Sequence, residues 1–213
     1  ERLNASSVMN LDLTARRNLE LTETLRNKEK KGSLLWVLDS TRTSMGKRLL
    51  KTFIEQPLTS PARIIDRLTA VEYLVKNPIV LMEIGDILDK VYDLERLMTR
   101  VMYKTATPRD LKSLSVTSLQ LPLLKEQMKK LRGSKLIDSL ENSISDLEDI
   151  FNLVENAIVD EPPVSVKDGG VIKDGFNKEL DELRHIMNSG KDIIAEIEAR
   201  EREATGIKGL KIG

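Results

Sequence analysis

The chain has 213 residues, room for one large domain or two small ones, with 40% hydrophobic and 32% charged residues, an ordinary balance for a chain with a packed core. Lys and Arg number 34, as do Asp and Glu, so a surface that grips nucleic acid throughout is excluded, because phosphate binding calls for a basic excess. Aromatic residues make up 3% and cysteine is absent, which points to a core of Leu, Ile, Val and Met in packed helices and rules out disulfides and thiolate metal sites.

In chain order, Val8, Leu11 and Leu13 form a short extended run that Thr14 converts into a helix as its N-cap. RNKEKKG (26–32) is a basic, solvated loop ending at Gly32, and Ser33 caps SLLWVLD. TSMGKRLLKTFIEQP sets Leu49, Leu50, Phe53 and Ile54 on one helix face and stops before Pro57. Three later helices begin by one device: Ser60-Pro61, Asn77-Pro78 and Thr107-Pro108 each put a capping side chain before Pro at the first helical position. Helix-spaced apolar residues follow each of them: Ile64, Ile65, Leu68, Val71, Leu74 and Val75; Met82; Leu111 and Leu114. Between the last two, VYDLERLMTRVMYK aligns Leu94, Leu97, Val101 and Met102.

Pro122 predicts a kink or break in SLQLPLLKEQMKKL. One long amphipathic helix is then expected through Leu136, Leu140, Ile144, Leu147, Ile150 and Phe151. Residues 137–166 hold eight acidic side chains and no Lys or Arg, whereas KEQMKKLRGSK (125–135) is basic; both read as solvated helix faces.

DEPPVSVKDGGVIKDGFNKELDELR (160–184) changes the character of the chain. Pro162-Pro163 forbids helix, and VSV and GVI are long enough for a small hairpin near 163–173 turning at Asp168-Gly169. Asn177 then caps a helix in which Leu180, Leu183, Met187, Gly190, Ile194 and Ile197 alternate spacings of three and four, a narrow coiled-coil seam that needs a partner. From 177 to 203 this rod would be about 40 Å long. Gly206 ends it, and IKGLKIG starts something extended. The fold class expected is mainly α: a multi-helix bundle with a small β-hairpin near 163–173 and a long protruding C-terminal helix.

No chemistry assembles along this chain. Gly170 and Gly175 have the spacing of a phosphate-binding loop, but Phe176-Asn177 follows where Lys and a hydroxyl are required. The single His185 lies off the seam and reads as an exposed helix residue, and the carboxylates are scattered. No catalytic, cofactor-binding, metal or DNA-binding residue is assigned, and no apolar run approaches the roughly 20 residues that cross a bilayer.

The blocks MNLDLTARRNLEL, SLLWVLDSTRTSMGKRLL, DLERLMTR, PRDL, PPVSVKDGGVIKDGFNKELDELR and EREATGIKGLKIG, in this order and spacing, resemble the MutS family of DNA mismatch-repair proteins from about Val8 to Gly213. The resemblance implies a segment of a larger bacterial, cytoplasmic and nucleoid-associated protein, as the internal-looking opening ERLNASSVMNLDL also suggests. Residues 1–159 would be a helical core or lever, 160–204 a hairpin and long arm, and 205–213 the truncated start of a DNA clamp. It further implies double-stranded mismatched DNA, a second subunit and MutL as partners of the parent protein, with ATP and Mg held by an ATPase domain elsewhere and no enzyme activity in this segment.

Phe53-Ile54-Glu55 matches the family's Phe-x-Glu mismatch wedge literally, but the family carries that motif in another domain, and Phe53 sits on an apolar helix face, so neither residue is carried over. Arg16, Arg17, Asp93, Glu95, Arg96, Arg109 and Asp110 lie in the matched blocks; they read first as ion pairs fixing how helices join, and second as signal-transmitting contacts. Two rival functions stay open: direct DNA binding through Lys47, Arg48 and Lys51 or through KEQMKKLRGSK, and a structural scaffold in a MutS paralogue.

Overall fold

The computed structural model describes residues 7–207, so the expected clamp start lies outside the described residues from 208 onward. The helices are α1 (Leu13–Asn18), α2 (Leu34–Leu38), α3 (Ser44–Glu55), α4 (Pro61–Lys76), α5 (Pro78–Leu88), α6 (Leu94–Met102), α7 (Pro108–Lys129), α8 (Lys135–Ser143), α9 (Glu148–Ala157) and α10 (Lys178–Thr205). The mainly helical expectation holds.

Helix α7 is the spine, packed against α9, α5, α8 and α6. A helix with neighbours on several sides has no single apolar stripe, and α7 buries Ser115, Thr117, Ser118 and Gln120 beside Leu114. Its small hydroxyls let neighbours approach and satisfy themselves locally. Thr117 donates to the Ser113 carbonyl and Ser118 to that of Leu114, both at 2.9 Å. Around this spine one apolar cluster joins Ala70, Leu131 and Ile137 with Tyr73, Leu74 and Ile84. A second joins Val154, Ala157 and Ile158 with Leu111, Val171 and Ile172. Where α7 turns toward α8, Gly133 has φ +112°, and a Cβ there would lie 2.7 Å from the Tyr73 hydroxyl, so any other residue is strained there.

Helix starts follow the predicted positions more closely than the predicted bonds. Pro occupies the first turn of α4, α5 and α7. Thr107 forms a full capping box with Asp110, and Ser33 caps α2. Ser60 makes no capping bond. Nor does Asn77, whose amide instead donates to the Tyr73 carbonyl at 2.8 Å and closes the end of α4. At α1 the cap is Asp12 rather than Thr14: its carboxylate accepts from Ala15 N at 2.6 Å, which draws Thr14 into the first turn.

Three expectations are corrected. Of the kink or break expected at Pro122, the break does not occur: α7 runs through it, because the packing of α7 against α9, α5, α8 and α6 outweighs the roughly 3 kcal/mol that Pro costs in a helix interior. The single long helix after residue 134 is instead α8 and α9, separated at 144–147. There Ser143 Oγ takes the Leu140 carbonyl at 2.7 Å and Lys125 Nζ takes that of Ile144 at 3.2 Å, so the SISD run stops propagating. The break also lets α8 reach α4 while α9 stays on α7.

The third correction concerns the hairpin near 163–173, which is not formed. Val166–Asp168 is a 3₁₀ turn closed by Asp168 accepting from the Ser165 N–H. The chain then returns as a strap that makes an isolated antiparallel bridge, Ile158 with Ile172. Val159 N bonds the Val171 carbonyl at 3.0 Å and Lys173 N that of Ala157 at 2.8 Å. Val164 and Val166 stay exposed, leaving no second apolar row for a ladder.

Helix α10 has 28 residues, about 42 Å at 1.5 Å per residue. Asn177 caps it from Leu180 N, and Gly206 ends it at φ 71°, where a left-handed residue is needed. It takes part in none of the principal helix packings. Leu183, Met187 and Ile194 are 54%, 69% and 47% exposed, so these positions of the expected seam are uncovered, while Leu180, Gly190 and Ile197 are half-buried.

Candidate functional site

The chemistry-bearing side chains gather at joints between helices. At the first joint, Asp93 caps α6 and accepts both guanidinium nitrogens of Arg48 on α3, at 2.7 and 2.8 Å. It also accepts from Ser44 Oγ at 2.8 Å, and the Arg96 side chain lies at 3.5 Å. Glu95 bonds the same Arg48. The Arg48 bond, aided by Ser44 and the Arg96 N–H, holds the Asp93 carboxyl well below the usual carboxylate range, and Asp93 with Glu95 raises Arg48. Two further carboxylates are paired: Asp89 with Arg42 at 3.2 Å, and Asp39 with Lys30 and Thr41, which lower its pKa, and with Lys47 at 3.7 Å.

The second joint lies at the N-terminus of α7. Burial alone would raise Asp110, but the Thr107 N–H and hydroxyl and Arg100, at 2.6 Å, outweigh it and its carboxyl sits low. Arg109 donates to the Pro162 carbonyl at 3.2 Å, tying α7 to the start of the strap. One turn on, Lys112 bonds Glu155 at 2.8 Å, Ser115 donates to the same carboxylate at 2.7 Å, and Lys173 of the strap meets Asp160 at 3.0 Å. Glu155 is lowered chiefly by Lys112 and Asp160 chiefly by Lys173.

The third joint is the base of the arm. Arg184 on α10 donates to Asp174 at 2.5 Å and to the Ile172 carbonyl at 3.0 Å, with Asp181 at 3.7 Å. Gly175 N bonds Asp181 at 2.9 Å. One guanidinium thereby clasps the strap to the first two turns of α10.

Of the residues singled out from the matched blocks, Asp93, Glu95 and Arg96 meet in one joint and Arg109 and Asp110 in another. Arg16 bonds the Leu11 carbonyl at 2.9 Å and lies 4.0 Å from Glu55, while Arg17 is exposed and makes no ion pair among the described residues. Phe53 has its ring covered by Arg67, 3.7 Å from the centroid, and Glu55 lies between Lys51 and Arg16. Lys47, Arg48 and Lys51, the candidate phosphate contacts, each face a carboxylate. In the 125–135 patch, Lys129 pairs with Glu126 and Lys130 with Glu83.

His185 is exposed, its Nε2 3.5 Å from Ser189 Oγ. Among the described residues no group of His, Asp and Glu is close enough to hold a metal ion, and no helix is long and apolar enough to cross a membrane. Sequence reasoning missed the clasp of Arg184 and the Lys112–Glu155 pair. The first left a faint signal in Asp181 three residues before Arg184. The second joins positions 43 apart, which no local pattern marks.

These features define a helical domain whose described polar side chains join its elements to one another. Its sequence matches the family profile of MutS domain III over residues 14–207. It is 49% identical over 205 residues to the DNA mismatch repair protein MutS of Acetivibrio thermocellus, covering 96% of this chain and 23% of that protein. It is 50% identical to that of Ruminiclostridium cellulolyticum, with the same coverage, and 45% identical over 210 residues to that of Clostridium tetani. The chain belongs to the MutS family as its domain III, and it spans under a quarter of the length of these relatives.

Proposed function

We propose that this domain is a lever: residues 1–159 form a helical core, 160–204 a stiff arm, and 205–213 the beginning of a DNA clamp held at its tip. The longer protein would bind double-stranded mismatched DNA as a dimer and hydrolyse Mg-bound ATP in another domain. MutL would be its downstream partner, and this segment would carry movement between ATPase and clamp. The observation that carries the reading is α10, 28 residues of helix held at its base by Arg184 and outside the principal helix packings. A rigid rod turns a small rotation at its base into a large displacement at its tip, whereas a flexible linker would absorb it. The uncovered positions of its seam suit a returning segment of the same polypeptide.

Inserting Gly-Gly after Met187 in the full-length protein tests the lever. ATP hydrolysis is expected to persist while ATP ceases to release DNA, read by stopped-flow fluorescence of a labelled heteroduplex. ATP-driven release at the unmodified rate would overturn the reading.

A further inference from the structure

Helix α10 stands outside the principal helix packings, so its direction has to be fixed at its foot. The chain enters it through the turn Asp174-Gly175-Phe176-Asn177, where Gly175 has φ +84° and, its chain neighbours apart, nothing lies within 4 Å of where a Cβ would sit. Exposed backbone of that kind holds no angle by itself. Arg184, on the second turn of the helix, spans the turn. One guanidinium nitrogen donates to Asp174 at 2.5 Å and another to the Ile172 carbonyl at 3.0 Å. From the first turn, Asp181 accepts from the Gly175 N–H at 2.9 Å.

The two acceptors of Arg184 are unequal. The Asp174 side chain is 92% exposed, so water screens its ion pair. The Ile172 carbonyl belongs to backbone that is already fixed from the other side. Ile172 bridges Ile158, and the Lys173 N–H bonds the carbonyl of Ala157, the last residue of α9, at 2.8 Å. The Ile172 side chain packs with Val154, Ala157 and Ile158. Helix α9 in turn lies along α7, where Lys112 reaches Glu155 at 2.8 Å. Bonded and packed contacts thus run without a gap from α7 through α9 and the strap to Arg184 and the arm.

We propose that Arg184 is the positioning residue that sets the angle of the arm: by pinning the second turn of α10 to the Ile172 carbonyl, it makes the arm one body with α9 and α7. This deepens the lever reading and rests on it for its purpose, since it names the part of the core whose rotation the rod carries. One planar fork holds carbonyl and carboxylate together, which a Gln side chain does not reproduce. The length of the rod amplifies any slack. If release of Arg184 lets the turn wander over about 15°, the usual scatter of backbone angles, the far end of the 28-residue helix sweeps about 10 Å.

The test measures the angle of the arm in the full-length protein, with nitroxide labels on Asp149→Cys of α9 and Ala204→Cys near the end of α10, both exposed positions, in an otherwise cysteine-free background. Excess unlabelled protein restricts double electron–electron resonance to distances within one polypeptide. Arg184→Gln should widen the 149–204 distribution by about 10 Å over that of the unmodified protein. A second pair, Glu182→Cys with Ala204→Cys, spans about 33 Å of the same helix and should keep its width, because the helix persists while its direction is lost. A 149–204 distribution unchanged by Arg184→Gln would overturn the proposal. So would widening of both pairs, since Arg184 would then hold the helix itself rather than its angle. Asp174→Asn weakens the screened ion pair, leaves the carbonyl bond and should widen the 149–204 distribution less; an effect equal to that of Arg184→Gln would overturn the assignment of the pin to the Ile172 carbonyl. The Gly-Gly insertion after Met187 lies farther along the helix and reads whether DNA release needs a stiff arm, whereas these distances read what sets its angle, so either reading can fail alone.

Discussion

Asp93 offers the sharpest test of whether the ion pairs hold the helices together. Its side chain is 15% exposed, accepts a bidentate fork from Arg48 and a hydroxyl from Ser44, and caps α6. Loss of the cap in Asp93→Ala is worth about 1 kcal/mol. The charged fork adds to this, discounted for solvent screening because the Arg48 side chain is 39% exposed. Asp93→Ala should therefore cost more than about 1 kcal/mol, a fall in Tm beyond about 2–4 °C for a chain of this size. Asp93→Asn keeps a good capping oxygen and should lose about 1 kcal/mol less.

The pH dependence provides an independent sign. The folded Asp93 pKa is depressed chiefly by Arg48, so its stabilisation is present above the unfolded value near 3.9 and is lost as pH falls below it. The gap between wild type and Asp93→Asn should thus be full at about pH 7 and shrink as acid protonates the native carboxyl. Urea unfolding followed by circular dichroism at several pH values measures both effects. A difference below about 0.5 kcal/mol for Asp93→Ala, or a gap between wild type and Asp93→Asn independent of pH, would refute the reasoning.

Pro122→Ala should stabilise the chain by about 1–3 kcal/mol, because it restores an N–H to the middle of α7; a lower Tm would show that the ring packs where alanine leaves a void. Gly133→Ala should cost about 2 kcal/mol, combining a left-handed φ with the close approach to Tyr73. Adding Tyr73→Phe removes the clashing hydroxyl and should recover part of that loss but not the backbone share, as a double-mutant cycle in urea would read.

The amino-acid sequence by itself determined the features that are local. Apolar spacing and caps located the helices, Pro at the first turn started three of them, and Asn177 and Gly206 bounded the arm, because each signal acts within one or two turns. It also carried the family, through blocks whose order no short-range rule explains. The acidic and basic residues of the joints were visible as residues but not as partners. Arg48 was a candidate for phosphate until the fold set it against Asp93, 45 positions away.

Only the tertiary structure decided the rest. It carried α7 through Pro122, since helices packed around the spine outweigh one lost hydrogen bond. It divided the helix after residue 134 so that each piece meets its own neighbour, and it replaced a hairpin with a single bridge under the arm. It also left Arg67 on Phe53 with no carboxylate beside it among the described residues. Backbone propensity is a sum over adjacent residues, whereas packing and charge pairing depend on which distant residues the fold brings within a few ångströms.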